Sequence, residues 1–180
     1  MHLYLIALVP PEPVREQVWQ LKQELHHRTG SRNAIGLLPH ITLVPPTRQP
    51  EVFATEAVEA LHRFAATQAS FSIGLQGFSW FDDRTLFVQV TAATALRQLQ
   101  AALRHYCTHA LPTIPPDARP FTPHMTLATR DLPPALVPEL RHDFAARPYK
   151  ATFQVTSFQL FRHSGRHWHT LETFPLQPPA

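Results

Sequence analysis

This sequence of 180 residues has few of the residue types that mark disulfide-linked, zinc-thiolate or nucleic-acid-coating proteins. It contains a single cysteine, Cys107, so it can form no internal disulfide and no thiolate zinc site. Its only lysines are Lys22 and Lys150, and its arginines are scattered. This distribution argues against a long groove that tracks a phosphate backbone. It permits a small anionic ligand, or only the end of a nucleic acid.

Long hydrophobic runs are also missing from the sequence. The apolar stretch from Met1 to Val9 is followed at once by two prolines, and it has neither a basic leader nor a small-residue cleavage site. We therefore interpret it as a buried strand, and we expect no membrane span and a cytoplasmic protein. With 44% hydrophobic and 16% charged residues, the composition is that of a globular protein, and the length fits one domain over 1–180.

A short motif occurs once in each half of the chain. It reads Pro-His-Ile-Thr-Leu in the first copy and Pro-His-Met-Thr-Leu in the second. In a strand, residues two apart share a face, so His40 would lie beside Thr42 on the open face of a sheet, and His124 beside Thr126. The intervening apolar residues would face the core. If the two halves pack symmetrically, both imidazoles and both hydroxyls would converge on one cleft.

Four stretches carry apolar residues at helical spacing. The first is predicted over 13–28 and should end near Gly30, because glycine commonly stops a helix. Cys107 falls in the apolar stripe of the third helix, which favours packing over a nucleophilic role. The other helices are predicted over 51–67, 94–110 and 133–146. The apolar stripe of the first helix consists of Val14, Val18, Leu21 and Leu25.

Strand patterns lie between these helices. A turn at Asp82-Asp83 joins two of them and suggests a hairpin, and the first motif strand is expected to end at Pro45-Pro46. Residues 69–73 are echoed by 151–155, so strand, helix, motif strand, helix and strand all recur. This repetition indicates a duplicated lobe. Besides the two motifs, the predicted strands cover 3–9, 70–81, 84–90, 150–162 and 167–175.

The motif residues suit phosphodiester chemistry without a metal. Hydrolysis needs a base for the attacking oxygen and an acid for the leaving oxygen, and histidine populates both forms near neutrality. Each such group contributes roughly 10²–10⁴-fold in rate. The threonine hydroxyls can donate hydrogen bonds to the non-bridging phosphate oxygens. A cyclic phosphate is a natural substrate, because in-line attack asks for an acid and a base on opposite sides of phosphorus.

The duplicated His-x-Thr-Leu motif resembles the 2H phosphoesterase superfamily, and within it the RNA 2′,3′-cyclic phosphodiesterases, long called 2′–5′ RNA ligases. The resemblance extends to the opening strand and helix at 3–15 and to the closing strands at 158–162 and 168–171. It implies a bilobal α+β fold in which two antiparallel sheets line a central cleft with the helices packed outside. It also implies opening of 2′,3′-cyclic phosphates to 2′-phosphomonoesters without metal or cofactor, and joining of RNA ends by a 2′–5′ linkage in the reverse sense.

The same resemblance implies roles for individual residues. His40 and His124 would be the acid–base pair, with Thr42 and Thr126 on the phosphate; approximate symmetry leaves open which histidine is the acid. Members of the family usually continue the second motif as His-x-Thr-Leu-x-Arg, whereas here Arg130 comes one residue later. In a regular strand, this shift by one residue would place the arginine on the other face of the sheet, unless a bulge compensates for it. We expect Arg130 to bind the phosphate of the substrate. The expected partners are RNA 3′ ends or cyclic nucleotides, and the protein is expected to be a monomer.

Other interpretations remain open from the sequence. The same fold could be a binding module that holds RNA ends or a cyclic nucleotide without cleaving them. Phe121 and Trp168 could stack on a base or pack in the core. Histidine is abundant, with twelve residues, and two clusters are candidates for zinc although neither has an acidic residue at ligand spacing. These clusters are His105 with His109, and His163 with His167 and His169.

Overall fold

The computed structural model describes residues 1–179, in which two four-stranded antiparallel sheets alternate along the chain with four α-helices. This architecture confirms the predicted α+β class. The helices are α1 (Val14–Thr29), α2 (Phe53–Ala65), α3 (Thr94–Ala110) and α4 (Val137–Ala146), the last preceded by a 3-10 turn over Pro134–Leu136. The strands are β1 (His2–Leu8), β2 (Ile41–Gln49), β3 (Phe71–Phe81), β4 (Thr85–Thr91), β5 (His124–Thr129), β6 (Lys150–Val155), β7 (Ser157–His163) and β8 (Trp168–Pro175).

Each copy of the motif lies on an edge strand. The first sheet has the order β2-β1-β7-β8, and the second has the order β5-β4-β3-β6. The motif strands β2 and β5 therefore occupy equivalent edges, each paired with the strand that precedes it in the chain. Residues of β2 and β5 also approach one another directly. This arrangement brings the two copies of the motif together although half of the chain separates them.

The predicted alternation of faces is confirmed in both motif strands. Ile41 and Leu43 are buried while Thr42 between them is partly exposed, and Met125 and Leu127 are buried around a partly exposed Thr126. The buried side chains join an apolar core that contains residues of both sheets and of all four helices. The motifs are thus anchored by their apolar residues, which leaves the polar residues free to face the cleft.

The first motif strand does not end at its two prolines, as predicted, but continues through them to Gln49. Its register against β1 shifts there: Tyr4 lies opposite Thr47 and Ile6 opposite Val44. Both prolines consequently fall in an irregular part of an edge strand, where no ladder hydrogen bond needs a donor from them.

The single strand predicted over 150–162 is two strands that belong to different sheets. The chain leaves the second sheet after Val155 and enters the first at Ser157. The echoed segments 69–73 and 151–155 also do not occupy corresponding places: Phe71 pairs with Val155 and Ile73 with Phe153 as neighbours in one sheet. The two sheets are therefore not the two halves of the chain. The first sheet combines both ends of the chain, and the second is built from its middle.

Helix α1 ends as predicted but buries an unexpected residue. Gly30 has a φ of 74° and its N–H donates to the His26 carbonyl over 2.8 Å, the left-handed stop expected of glycine. The buried positions of the helix are Val14, Val18, Lys22 and Leu25, while the predicted Leu21 is partly buried against the core. Within residues 1–179, no helix has the length and apolar character needed to cross a membrane.

Candidate active site

The two motif histidines are held by the same local hydrogen bond. His40 Nδ1 lies 2.8 Å from the carbonyl oxygen of Leu38, and His124 Nδ1 lies 2.7 Å from that of Thr122. In each case the acceptor is the carbonyl two residues earlier in the chain. Because a carbonyl can only accept, each Nδ1 carries a proton and donates it. In the neutral ring, Nε2 is then the unprotonated nitrogen, available to accept a proton.

A cavity of about 630 Å³ opens where the motif strands meet. Thr42 lines it from the first sheet, and His124 and Thr126 line it from the second. His40 is not among the lining residues: it lies at the entrance to β2, two residues before Thr42, and is coupled electrostatically to His124. A second cavity of about 480 Å³ adjoins the first but contains none of the four motif residues. The larger cavity is therefore the candidate site.

The two imidazoles have different affinities for a proton. Burial lowers the pKa of His40 to about 4; the hydrogen bond to the Leu38 carbonyl acts in the opposite direction, and positive charge on Lys22 and on His124 opposes protonation further. Burial also lowers the pKa of His124, again against the effect of its carbonyl partner. Charge on either imidazole also disfavours a proton on the other, because the two groups repel each other when both are protonated. At neutral pH, His40 is a neutral base.

A bulge in β5 decides which residues after the second motif face the cavity. Phe87 lies opposite Thr126 and Leu86 opposite Ala128, so one residue of β5 has no partner. Leu127 and Ala128 are both buried as a result, and Thr129 returns to the cavity wall, where its hydroxyl lies 2.7 Å from that of Thr85. Thr129, not Arg130, thus takes the position that follows the motif on the same face.

Arg130 lines the same cavity from just beyond the strand. It has a φ of 67° and is exposed, and its N–H donates to the Arg84 carbonyl over 3.0 Å. The left-handed backbone turns the chain out of the sheet at this point. Arg84, Arg104 and Arg119 line the cavity as well, so four arginines lie near the motif residues.

Several cavity residues were not predicted from the sequence. Arg84 lies in the turn between β3 and β4, where an isolated arginine gives no signal of function. Phe121, for which the sequence allowed either stacking or packing, lines the cavity and also touches the core. The remaining unpredicted lining residues include Phe81, Asp82, Arg104, Asp117 and Arg119. Only the tertiary structure brings these segments to the same cavity.

The other sequence candidates lie away from this chemistry. Cys107 is buried, and that burial raises the pKa of its thiol to about 11, which suits packing and not a nucleophile. Trp168 packs edge-on to His163 and against a small apolar cluster of the first sheet. Across residues 1–179, no group of three or more His, Cys, Asp or Glu side chains is arranged to hold a metal ion.

Two equivalent edge strands that meet at one cavity, each carrying a His-x-Thr motif, are the arrangement expected of a phosphoesterase of the 2H type. The family model of the 2′-5′ RNA ligase superfamily matches residues 10–167, and the chain belongs to this family. The resemblance drawn from the motifs is thereby confirmed.

Three relatives illustrate the likeness. The chain is 28% identical over 139 residues to an RNA 2′,3′-cyclic phosphodiesterase of Thermus thermophilus, a match that covers 73% of this chain and 70% of the relative. It superposes on the crystal structure of TT0787 from the same organism with a TM-score of 0.73 and 26% identity, over 100% of both chains. Escherichia coli LigT, solved with 3′-AMP, gives a TM-score of 0.72 at 20% identity over 97% of this chain and 98% of LigT, a likeness of fold.

Proposed function

We propose that this chain, as one domain over 1–180, hydrolyses 2′,3′-cyclic phosphates at RNA 3′ ends or on nucleotides to 2′-phosphomonoesters. The observation that carries the proposal is the matched geometry of His40 and His124. Each imidazole donates its Nδ1 proton to a carbonyl two residues earlier, which leaves Nε2 for proton transfer. Two such groups are what metal-free phosphodiester hydrolysis needs. The related cyclic phosphodiesterase of Thermus thermophilus supports the choice of substrate.

The reaction can be written with the side chains at hand. One imidazole removes a proton from water as the oxygen attacks phosphorus, and the other donates a proton to O3′ as the P–O3′ bond breaks. The product is a 2′-phosphomonoester and a free 3′-hydroxyl. Thr42 and Thr126 would donate hydrogen bonds to the non-bridging oxygens, where negative charge grows. Arg130, and Arg84 beside it, would attract the anionic substrate to the cavity.

The same groups could use a second RNA in place of water. Attack by its 5′-hydroxyl would expel O3′ and create a 2′–5′ linkage, the ligation for which the superfamily is named. The site chemistry would be unchanged, and the relative concentrations of water and RNA ends would decide the direction.

The proposal is tested by replacing each histidine. His40→Ala and His124→Ala are each expected to lower kcat on a 2′,3′-cyclic nucleotide by at least about 10²-fold, because each removes one proton-transfer group. Initial rates on a panel of cyclic nucleotides, with the monoester isomer identified by chromatography, measure the effect. His109→Ala, at the exposed end of α3, is the matched control and should turn over normally. Either motif variant with a near-normal rate would contradict the proposal.

The alternative is a module that binds RNA ends or cyclic nucleotides without cleaving them. The wild-type protein would then form a stable complex with a 2′,3′-cyclic nucleotide and yield no monoester over long incubation. Calorimetric titration on the same panel, followed by product analysis, separates this alternative from the enzyme.

A further inference from the structure

Three residues before each motif histidine, a backbone carbonyl accepts a hydrogen bond from a positively charged side chain. On the first copy, Lys22 Nζ donates to the Leu37 carbonyl over 2.6 Å, and Leu37 lies three residues before His40. On the second copy, Arg97 Nη1 donates to the Phe121 carbonyl over 2.5 Å, and Phe121 lies three residues before His124. The helices that supply the cations, α1 and α3, occupy equivalent places in the chain, each between the inner strand and the motif strand of one sheet.

This contact connects each cation to an imidazole through a single residue. Leu37 binds Lys22 through its carbonyl, and the carbonyl of the next residue, Leu38, accepts the hydrogen bond from His40 Nδ1. In the second copy, Phe121 binds Arg97, and the next residue, Thr122, accepts the hydrogen bond from His124 Nδ1. Fixing one peptide plane restricts the next, since only two soft dihedral angles separate them. Lys22 and Arg97 thus constrain the backbone that orients the two rings.

The two cations differ in their burial. Arg97 is exposed, whereas Lys22 is 1% exposed and packs beneath the ring of Trp19. Among residues 1–179, no carboxylate forms a salt bridge with Lys22, and burial lowers the pKa of its ammonium to about 7. A buried, unpaired lysine opposes folding, so its presence calls for a reason other than stability.

The charge of Lys22 acts on one imidazole only. The charged groups that oppose protonation of His40 are Lys22 from α1 and His124 from β5, and within the described part of the chain no acidic group acts against them. Arg84, Arg104, Arg119 and Arg130 line the cavity with His124, but the pKa of His124 is lowered by burial and not by their charges. In the acidic range where His40 titrates, Lys22 carries its full charge, because its own pKa lies higher. The charge of Lys22 thus makes a proton on His40 less favourable and leaves His124 as the better place for it.

We propose that Lys22 and Arg97 are positioning residues for the two imidazoles, and that the buried charge of Lys22 makes His40 the general base and His124 the general acid. This inference rests on the proposed phosphodiesterase function. His40 Nε2 takes a proton from the attacking water, whose oxygen bonds to phosphorus. The P–O3′ bond breaks, and O3′ takes the proton that His124 carried. After the step, His40 carries a proton and His124 has lost one. Proton exchange with solvent then restores the starting state.

Lys22→Met tests the assignment, because methionine preserves the length of the side chain without the charge or the donor. The pKa of His40, followed by NMR of the imidazole resonances, is expected to rise, and to rise more than that of His124. On a cyclic nucleotide, kcat should fall at least tenfold with KM changed less than threefold, and the acidic limb of the pH profile should move to higher pH. Lys22→Arg, which keeps the charge and a donor, should restore the acidic limb.

Matched controls separate this effect from a structural role. Lys150→Met removes the other lysine, which is exposed, and should leave the titration of His40 and the kcat unchanged. Arg97→Met should lower kcat without moving the acidic limb, because its charge does not act on His40. An unchanged His40 titration in Lys22→Met would overturn the proposal, as would a fall in thermal stability that accounts for the lost activity.

The NMR titration also keeps this inference separate from the proposed function. In the wild-type protein, His124 should take up its proton at higher pH than His40, whether or not the protein turns over a cyclic nucleotide. If His40 is protonated first, the assignment fails even for an active enzyme. If the order is as expected but no substrate is cleaved, the proposed function fails and the electrostatic coupling stands.

Discussion

At the scale of single residues, the site depends on partly exposed side chains whose neighbours in the strand are buried in the apolar core. Thr42 and Thr126 are each flanked by buried residues, so their side chains are fixed in direction while they line the cavity. The hydroxyl of nearby Thr129 is already engaged with Thr85. Thr42 and Thr126 are therefore the better donors to a phosphate, because a donor aimed in advance at the developing charge needs little reorganisation.

Replacing either hydroxyl should slow the reaction more than it weakens binding. Thr42→Val and Thr126→Val keep the branched shape, and each should lower kcat about 10–100-fold by removing a hydrogen bond that strengthens in the transition state. Steady-state kinetics on a 2′,3′-cyclic nucleotide measure the change. Thr173→Val, on the exposed face of β8, is the control. A rise in KM alone, with kcat intact, would show that the hydroxyls only bind substrate.

The buried lysine makes a separate prediction about stability. The pKa of Lys22 is about 7 in the folded protein and near 10.5 in the unfolded chain, so the unfolded state binds more protons between these values. Burial of the charge therefore opposes folding fully below pH 7, and this penalty decreases as the pH rises. Lys22→Met should be more stable than the wild type at pH 6, and the difference should shrink towards pH 9. Urea denaturation at several pH values measures it, and a less stable variant at pH 6 would contradict the reasoning.

At the scale of elements, an anchor joins the end of β5 to the loop after α1. Asp131 accepts hydrogen bonds from the Ser31 hydroxyl at 2.5 Å, the Arg32 N–H at 2.7 Å and the Asn33 N–H at 3.1 Å. Partial burial opposes ionisation of Asp131, but these three donors outweigh it and hold the pKa of the carboxyl below its usual value. The anchor fixes the chain just after Arg130, where β5 leaves the sheet.

Breaking this anchor should destabilise the fold. Asp131→Ala is expected to lower the free energy of unfolding by about 1–2 kcal/mol. This is less than a fully buried charged network would lose, because burial of the carboxyl is only partial and the residue as a whole is exposed. The lowered pKa means that the contribution is present above about pH 4 and is lost as the pH falls through the folded-state value. Chemical denaturation at pH 7 and at pH 3 should show a difference from wild type that shrinks in acid. An equal loss of stability at pH 7 and at pH 3 would mean that the charge of Asp131 is not the cause.

At the scale of the whole molecule, two sheets assembled from interleaved parts of the chain bring the two motif strands together. All groups that the proposed reaction needs are then side chains, and no step calls for a metal. Activity on a 2′,3′-cyclic nucleotide should accordingly be unchanged in excess EDTA after exhaustive dialysis. Loss of activity that zinc restores would contradict this expectation and direct attention back to the clusters around His105 and His163.

The sequence by itself determined the local features of this protein. The alternation of polar and apolar residues in the motifs, and the glycine that ends α1, follow from periodicity and backbone preference, which are properties of short segments. The motif also identified the family. These patterns were sufficient to name His40, Thr42, His124 and Thr126 as a set.

Only the tertiary structure decided what depends on contacts between distant segments. The prolines of β2 are tolerated because their register against β1 shifts, and the face of Thr129 depends on a bulge against β4. The strand predicted over 150–162 is divided into β6 and β7 because these two strands belong to different sheets. Lys22 continues the four-residue spacing of Val14 and Val18, so the sequence held a signal of its burial, but its effect on His40 arises from packing. Electrostatic interactions act through space, and no local pattern encodes which charge will lie beside which imidazole.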